Sequence, residues 1–278
     1  MLSPDAKSRP FALDVDGRQV PLYDEEDFAG LHHAGQLAAQ TLDFITPFVE
    51  PGVTTEALDD RMHQFIIAQG ATPATLGYKG YPKSSCISIN EVVCHGIPSA
   101  KSRLKPRDIV NIDVTVILDG WFGDTSRMFI VGGQSFKQSE RLVDTTYAAL
   151  EAGIAAVKPG ATLGDVAEAI QSLAEAHRFS VVREFTGHGI GRAFHQAPQV
   201  AHYGNAGEGL VLQPGMVFTI EPMLNAGGWR TKLKPDGWTA VTLDGKPSAQ
   251  FEQQVGVTEA GCQVFTRSPV GLHRPHYR

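Results

Sequence analysis

From residue 25 to 48, apolar residues recur at intervals near 3.6. Phe28, Leu31, Leu37, Leu42, Ile45 and Phe48 fall on one face, and that period predicts an amphipathic helix. Pro51-Gly52 stops it. Thr54 is placed to cap a second helix, with Leu58, Met62, Phe65 and Ile66 on one face and Gly70 as its stop. Residues 71–105 mix Gly, Pro and Ser with short β-like runs such as Cys86-Ile87-Ser88-Ile89. The pattern then changes. Residues 109–131 are rich in β-branched and aromatic side chains, and Asp119-Gly120 between the two arms predicts a hairpin. A helical period returns over 135–157 and ends at Pro159-Gly160. Thr162 opens another helix, with Leu163, Val166, Ile170 and Leu173 in register. Residues 180–185, 210–220 and 249–258 read as strands. Residues 1–24 are polar and Pro-containing, which predicts an N-terminal extension or surface strap. We read 25–267 as a single domain and 268–278 as a C-terminal tail.

The order contains an internal echo. Val49-Glu50-Pro51-Gly52-Val53-Thr54 returns as Val157-Lys158-Pro159-Gly160-Ala161-Thr162. Each joins a long helix to a shorter amphipathic one, and β-rich sequence follows each. This predicts an α/β (α+β) unit of two halves related by a pseudo-twofold axis, with a functional groove between them.

Composition narrows the function classes. The chain has 278 residues, 42% hydrophobic, and a formal net charge of -6. That length and apolar content support a sizeable core. The charge disfavours a nucleic-acid binder built on a broad basic surface. Three cysteines, Cys86, Cys94 and Cys262, argue against a disulfide framework and suit a reducing compartment. No window has the run of about 18 apolar residues that a membrane helix needs. The expectation is a soluble cytoplasmic protein.

Chemistry enters through acidic residues in apolar surroundings. Asp113 sits inside Val110-Asn111-Ile112-Asp113-Val114-Thr115-Val116, although Asp is depleted in strands and an unpaired buried carboxylate is costly. With Asp119-Gly120 as a two-residue turn, Leu118 pairs with Trp121 and Asp113 with Ser126. Asp124 then shares a face with Asp113, at a diagonal spacing of roughly 7–8 Å. Two carboxylates there repel unless a cation lies between them. Taken alone, a hairpin with one solvated face explains both residues more simply. Glu221 follows the strand-like Met216-Val217-Phe218-Thr219-Ile220, and Glu252 lies within Ser248-Ala249-Gln250-Phe251-Glu252-Gln253-Gln254-Val255. Each reads equally as a polar strand position. His188 lies among three glycines, in Gly187-His188-Gly189-Ile190-Gly191, which suits close passage of backbone past a ligand. Together, four carboxylates and a neutral imidazole offer a charge of about -4, which matches two divalent ions in a hydrolytic site.

The motifs resemble those of the type I methionine aminopeptidases, a branch of the pita-bread metallopeptidases. The resemblance rests on Gly80-Tyr81-Pro82-Lys83, Asn90-Glu91-Val92-Val93-Cys94-His95-Gly96-Ile97-Pro98 and Asp108-Ile109-Val110-Asn111-Ile112-Asp113. It continues through Gly123-Asp124-Thr125-Ser126-Arg127-Met128-Phe129, Thr186-Gly187-His188-Gly189-Ile190-Gly191, Phe218-Thr219-Ile220-Glu221-Pro222 and Ser248-Ala249-Gln250-Phe251-Glu252. It spans about residues 26 to 266. It implies a pita-bread fold with a central antiparallel sheet, and metal ligands at Asp113, Asp124, His188, Glu221 and Glu252. It implies two divalent ions (Co, Mn, Fe or Zn), catalytic and substrate-holding roles for His95 and His195, and proton transfer by Glu221. A methionine pocket is implied at Tyr78, Tyr81, Cys86, Phe194 and Trp238.

The implied activity is removal of the N-terminal methionine from nascent proteins when the second residue is small. The implied partners are Met-initiated peptides and the ribosome, with no membrane or specific nucleic acid, and the implied state is a monomer. The alternatives are an Xaa-Pro aminopeptidase or dipeptidase on the same fold, or a non-catalytic peptide binder. The chain departs from the family pattern at Gln196, commonly Glu, and at Gln253-Gln254, commonly His-Thr. A rim position of the pocket that is often Cys falls near Thr75. The paired cysteines of a zinc-binding extension are not found before residue 26, and the His195–Glu221 spacing is too short for the type II insertion.

Overall fold

The computed structural model describes residues 9–277. The first helix, α1 (Glu25–Ile45), starts where Asp24 and Asp27 cap each other: the Asp24 carboxylate accepts from Asp27 N at 2.9 Å, and Asp27 accepts from Asp24 N at 3.2 Å. Its buried face carries Leu31, Ala34, Leu37, Ala38, Leu42 and Ile45. Pro47 then draws the chain into a single tight turn, Thr46–Phe48, where a continuous helix to 48 had been expected. The remaining helices are α2 (Thr55–Ala68), α3 (Lys137–Ala156) and α4 (Leu163–Ala176).

The internal echo is a structural one. Thr54 caps α2 by accepting from Ala57 N, and Thr162 caps α4 by accepting from Asp165 N. Gly52 N donates to Leu104 O at 2.7 Å, and Gly160 N donates to Leu212 O at 3.0 Å. Leu104 N returns a bond to Val53 O, as Leu212 N does to Ala161 O. Single antiparallel bridges follow at Thr54–Arg103 and Thr162–Val211. At the far ends, Ala71 N reaches Ile66 O and Phe179 N reaches Ala174 O. Those bonds reach back over a residue with positive φ, Gly70 or Arg178. Two copies of one helix-pair joint therefore back two sets of strands.

In the first half, Ile109–Leu118 and Trp121–Ile130 form a ten-pair hairpin with Leu118 opposite Trp121 and Asp113 opposite Ser126. That is the register the Asp-Gly turn specified. Asp119 and Gly120 have φ of 51° and 76°, the left-handed pair that matches strand twist. Helix α1 lies so close to this hairpin that a Cβ on Gly123 would sit 2.2 Å from Ala34 O. Arg127, almost wholly buried, is neutralised by Asp43 and donates to Ala39 O at 3.1 Å.

In the second half, Gly187–Gly189, Gln196–Val200, Val217–Ile220, Gln253–Thr258 and Gly261–Val264 form an antiparallel sheet. Leu150 and Ile154 of α3 and Val166 and Ile170 of α4 belong to the same buried cluster as Phe218, Ile220, Phe251 and Val255 of this half. The halves join where Glu252 N donates to Ser126 O at 3.2 Å and Thr125 Oγ1 donates to Glu252 O at 2.7 Å.

Three expected strands are shorter or broken. Residues 180–185 contain only Ser180–Val181 as strand. In 210–220, Val211 makes only the single bridge to Thr162, Pro214-Gly215 interrupts the chain, Gly215 having φ 91°, and the sheet strand begins at Val217. Residues 249–258 divide into Ser248–Gln250, paired with Met223–Asn225, and Gln253–Thr258, paired with Val217–Ile220. The break has a cause. Pro222 has no N–H to donate, so the ladder lapses at 221–222 and, across from it, at 251–252. Glu221 and Glu252 occupy that gap.

Residues 1–8 of the expected N-terminal extension, and residue 278 of the expected tail, lie outside the described residues. Within 9–24, Phe11–Leu13 and Gln19–Pro21 pair as a small hairpin, and Val20 and Tyr23 are buried. In the tail, the Tyr277 hydroxyl donates to Met128 O at 2.6 Å. Among the described residues no helix is long and apolar enough to cross a membrane.

Candidate functional site

Between the halves opens a cleft of about 310 Å³. All twelve candidate site residues named from the sequence line it: Tyr78, Tyr81, Cys86, His95, Asp113, Asp124, His188, Phe194, His195, Glu221, Trp238 and Glu252.

The acidic floor is assembled by strand alternation. Asp113 and Asp124 point from neighbouring strands to the same face, and Thr115, opposite Asp124, donates to its Oδ1 at 2.7 Å. Burial raises the Asp113 carboxyl well above its usual range, with Asp124 adding to the shift. Burial likewise raises Asp124 to about 7, against the bond from Thr115. Glu221 and Glu252, in the ladder gap, are also raised well above normal by burial and then by Asp124. Thr219 donates to Glu221 Oε1 at 2.8 Å, and Gln250 Nε2 lies 3.4 Å from Oε2.

His188 supplies the test of whether a cation fits. Its Nδ1 bonds Gly189 O at 3.1 Å, so the proton is on Nδ1 and Nε2 carries a lone pair. Burial lowers this ring to about 4, so it is neutral at physiological pH. The bare Nε2 faces Asp124 Oδ2 at 3.5 Å and Glu221 Oε1 at 3.7 Å. Acceptor thus faces acceptor in a buried setting, an arrangement that needs a cation or protons between the groups. Ligand atoms of Asp124, His188 and Glu252 all lie within 4.8 Å of one another. A mixed carboxylate and imidazole donor set of this kind fits divalent metal ions.

Above the floor, His95 adopts φ 55° and packs edge-on against Phe185 at 5.5 Å and Trp238 at 6.1 Å. Burial lowers its pKa. His195 stacks on Tyr78 at 5.2 Å and lies 4.0 Å from the His188 ring. Crowding away from water, followed by the neighbouring His188, lowers its pKa too. The apolar wall is Tyr78, Tyr81, Cys86, Phe194 and Trp238. The Tyr81 hydroxyl donates to Ser85 O at 3.0 Å or Gly96 O at 3.2 Å, and its ring meets Trp238 edge-on. The Cys86 thiol is pushed well up by burial, so it is a wall atom and not a thiolate.

Several supporting residues escaped the sequence reading. Phe185 and Met223 add to the apolar wall. His202, buried and held neutral, accepts from Glu221 N at 3.0 Å. Gln254 Oε1 accepts from Asp124 N at 3.1 Å, and Thr266 donates to Gln253 Oε1 at 2.9 Å. Thr219 and Gln250 had a usable signal, since each stands two residues before a ligand candidate on the same strand face. His202 had none, because its contact joins distant segments; Gln254 stood out only as a departure from the family pattern.

Residues 29–259 match the model of metallopeptidase family M24. The chain is 57% identical over 259 residues to a methionine aminopeptidase of Rickettsia prowazekii, covering 93% of this chain and 99% of that one. It is 53% identical over 242 residues to a methionine aminopeptidase of Escherichia coli, covering 87% and 91%. The crystal structure of the Rickettsia prowazekii enzyme superimposes with a TM-score of 0.87 at 56% identity, over 89% of this chain and 99% of that one. A prolidase from Pyrococcus furiosus, 20% identical, superimposes at 0.71 over 88% of this chain and 65% of that one, a likeness of fold alone.

Proposed function

Since the chain belongs to metallopeptidase family M24 and, within it, to the methionine aminopeptidases, we propose that its cleft hydrolyses the first peptide bond of Met-initiated chains. The proposed ligands are Asp113, Asp124, His188, Glu221 and Glu252, and their summed charge favours two divalent ions. Bound there, the metal would polarise the substrate carbonyl and acidify a water.

The side chains supply the rest. Glu221, held by Thr219 and Gln250, would accept a proton from the attacking water and pass it to the leaving amine. His95 and His195, both with lowered pKa, can present a neutral N–H to the scissile amide and to the oxygen that gains charge. The aromatic wall, with Cys86 at its base, suits an unbranched thioether. The acidic floor favours a free α-ammonium group beside it, which restricts cleavage to the first residue. A small second residue is expected, as the resemblance to the type I methionine aminopeptidases implies.

The observation that carries this reading is the bare Nε2 of a neutral His188 facing the carboxylates of Asp124 and Glu221, with Glu252 in the same cluster and Asp113 lining the same cleft. The test is cleavage of Met-Ala-Ser and Xaa-Pro peptides side by side by metal-reconstituted protein, with metal content measured for wild type and Asp113→Asn. Preference for Xaa-Pro, or a folded wild type that binds no divalent metal, would overturn it.

A further inference from the structure

His195 is held at the cleft by ring stacking alone. Its ring stacks on Tyr78 and His188 but makes no hydrogen bond among the described residues, so its place depends on its backbone. The next residue, Gln196, donates from Nε2 to the Tyr23 hydroxyl at 3.0 Å, and Arg192 N–H approaches the same oxygen at 3.4 Å. One buried phenol thus reaches both ends of the 192–196 loop. Tyr23 is itself fixed. Its N–H donates to Gly215 O at 2.8 Å, its ring meets Trp121 edge-on at 5.7 Å, and the Arg9 guanidinium lies 4.5 Å above it. Gly191 makes room for it, since a Cβ there would fall 1.8 Å from the Tyr23 oxygen. The other flank of the loop is held by the hairpin, through Phe122 N to Gly191 O at 3.0 Å and Arg192 Nη1 to Asp119 O at 2.8 Å.

We propose that Tyr23 and Gln196 are positioning residues for His195, and that the segment before α1 is thereby part of the support of the reaction centre. The proposal rests on the reading of His195 as a group that holds the scissile amide. The hydrogen bond is a tether. It touches no substrate, and its loss acts on the step that needs His195 aligned.

The experiment is steady-state cleavage of a Met-Ala-Ser peptide by the metal-loaded full chain, with hydrogen exchange read over residues 190–196. Tyr23→Phe and Gln196→Ala should each lower kcat about two- to tenfold, the worth of one neutral hydrogen bond, with KM little changed. The double variant should be no worse than the poorer single, because both remove the same bond. Gln196→Glu should lie above Gln196→Ala, since the phenol can donate to the carboxylate. Exchange in the loop should rise in both single variants while the melting temperature holds. Unchanged kcat in both, losses that multiply in the double variant, or exchange that rises across the whole chain would overturn the proposal. If the wild type fails to cleave the peptide, the reading of the site fails, and loop exchange still decides whether the tether exists.

Discussion

His188 Nε2 lies 3.5 Å from Asp124 Oδ2, a contact between a glycine-flanked strand of one half and the hairpin of the other. Neither atom carries a proton at neutral pH if Asp124 is ionised. The pair therefore needs a cation between its members, or a proton on Asp124, and this gives the first prediction.

Asp124→Asn should lose most of its bound divalent metal. Partners that merely orient a ligand cost about 10–100-fold in metal affinity when removed, and a ligand should cost more. Activity on Met-Ala-Ser peptides should fall at least as far. The metal-free variant should melt no lower than metal-free wild type, because a buried like charge has been deleted. Metal analysis and calorimetry check both halves, and a metal-free variant that melts well below wild type would count against the electrostatic account.

Stability of the metal-free protein should depend on pH in a fixed direction. Asp124 titrates near 7 when folded and near about 4 when unfolded. The folded state therefore holds the extra proton between those values, and stability falls as pH rises from about 4 to about 7. The stability is fully present below that window and lost above it. Asp113, Glu221 and Glu252 shift in the same sense. Added divalent metal should restore more degrees of melting temperature at pH 8 than at pH 5.5, which thermal scans at both values measure.

Glu221→Gln should cut kcat by about 10²–10⁴, the usual worth of general acid–base transfer. It keeps the length of the side chain, and Thr219 can still donate to its carbonyl oxygen. Activity and metal content measured together separate lost proton transfer from lost metal. Activity near wild type would remove Glu221 from the mechanism.

Gly123→Ala should cost about 1–3 kcal/mol, typical of overpacking. The new Cβ would meet Ala34 O at 2.2 Å and Gly35 N at 2.6 Å, atoms of helix backbone that cannot rotate away. Urea unfolding gives the figure. Activity should fall as well, because Asp124 is the next residue.

Much of this was legible because local rules specify distant outcomes. The Asp119-Gly120 turn sets the register of the whole hairpin, and so the shared face of Asp113 and Asp124. Thr54 and Thr162 announce two helix starts that the structure places at Thr55 and Leu163. What escaped was tertiary in origin. The 249–258 run alternates, with Ala249, Phe251, Val255 and Val257 on one face and Gln250, Glu252 and Gln254 on the other, so it reads as one strand and hides the gap opposite Pro222. Met223–Asn225 and Ala240–Thr242 are three-residue strands held by pairing with remote segments. His202 acts on Glu221 across 19 residues, and Gln254 on Asp124 across 130; no periodicity reports such partnerships.

The duplicated helix-pair joint has one more consequence. Of the proposed metal ligands, Asp113 and Asp124 come from the first half, and His188, Glu221 and Glu252 from the second, so neither half holds the full set. Competence appears only at the seam, where the Ser126–Glu252 bridge closes the molecule. Cut in the connection before α3, the chain would yield two fragments that are each inert, and metal capture on mixing them would report their reunion.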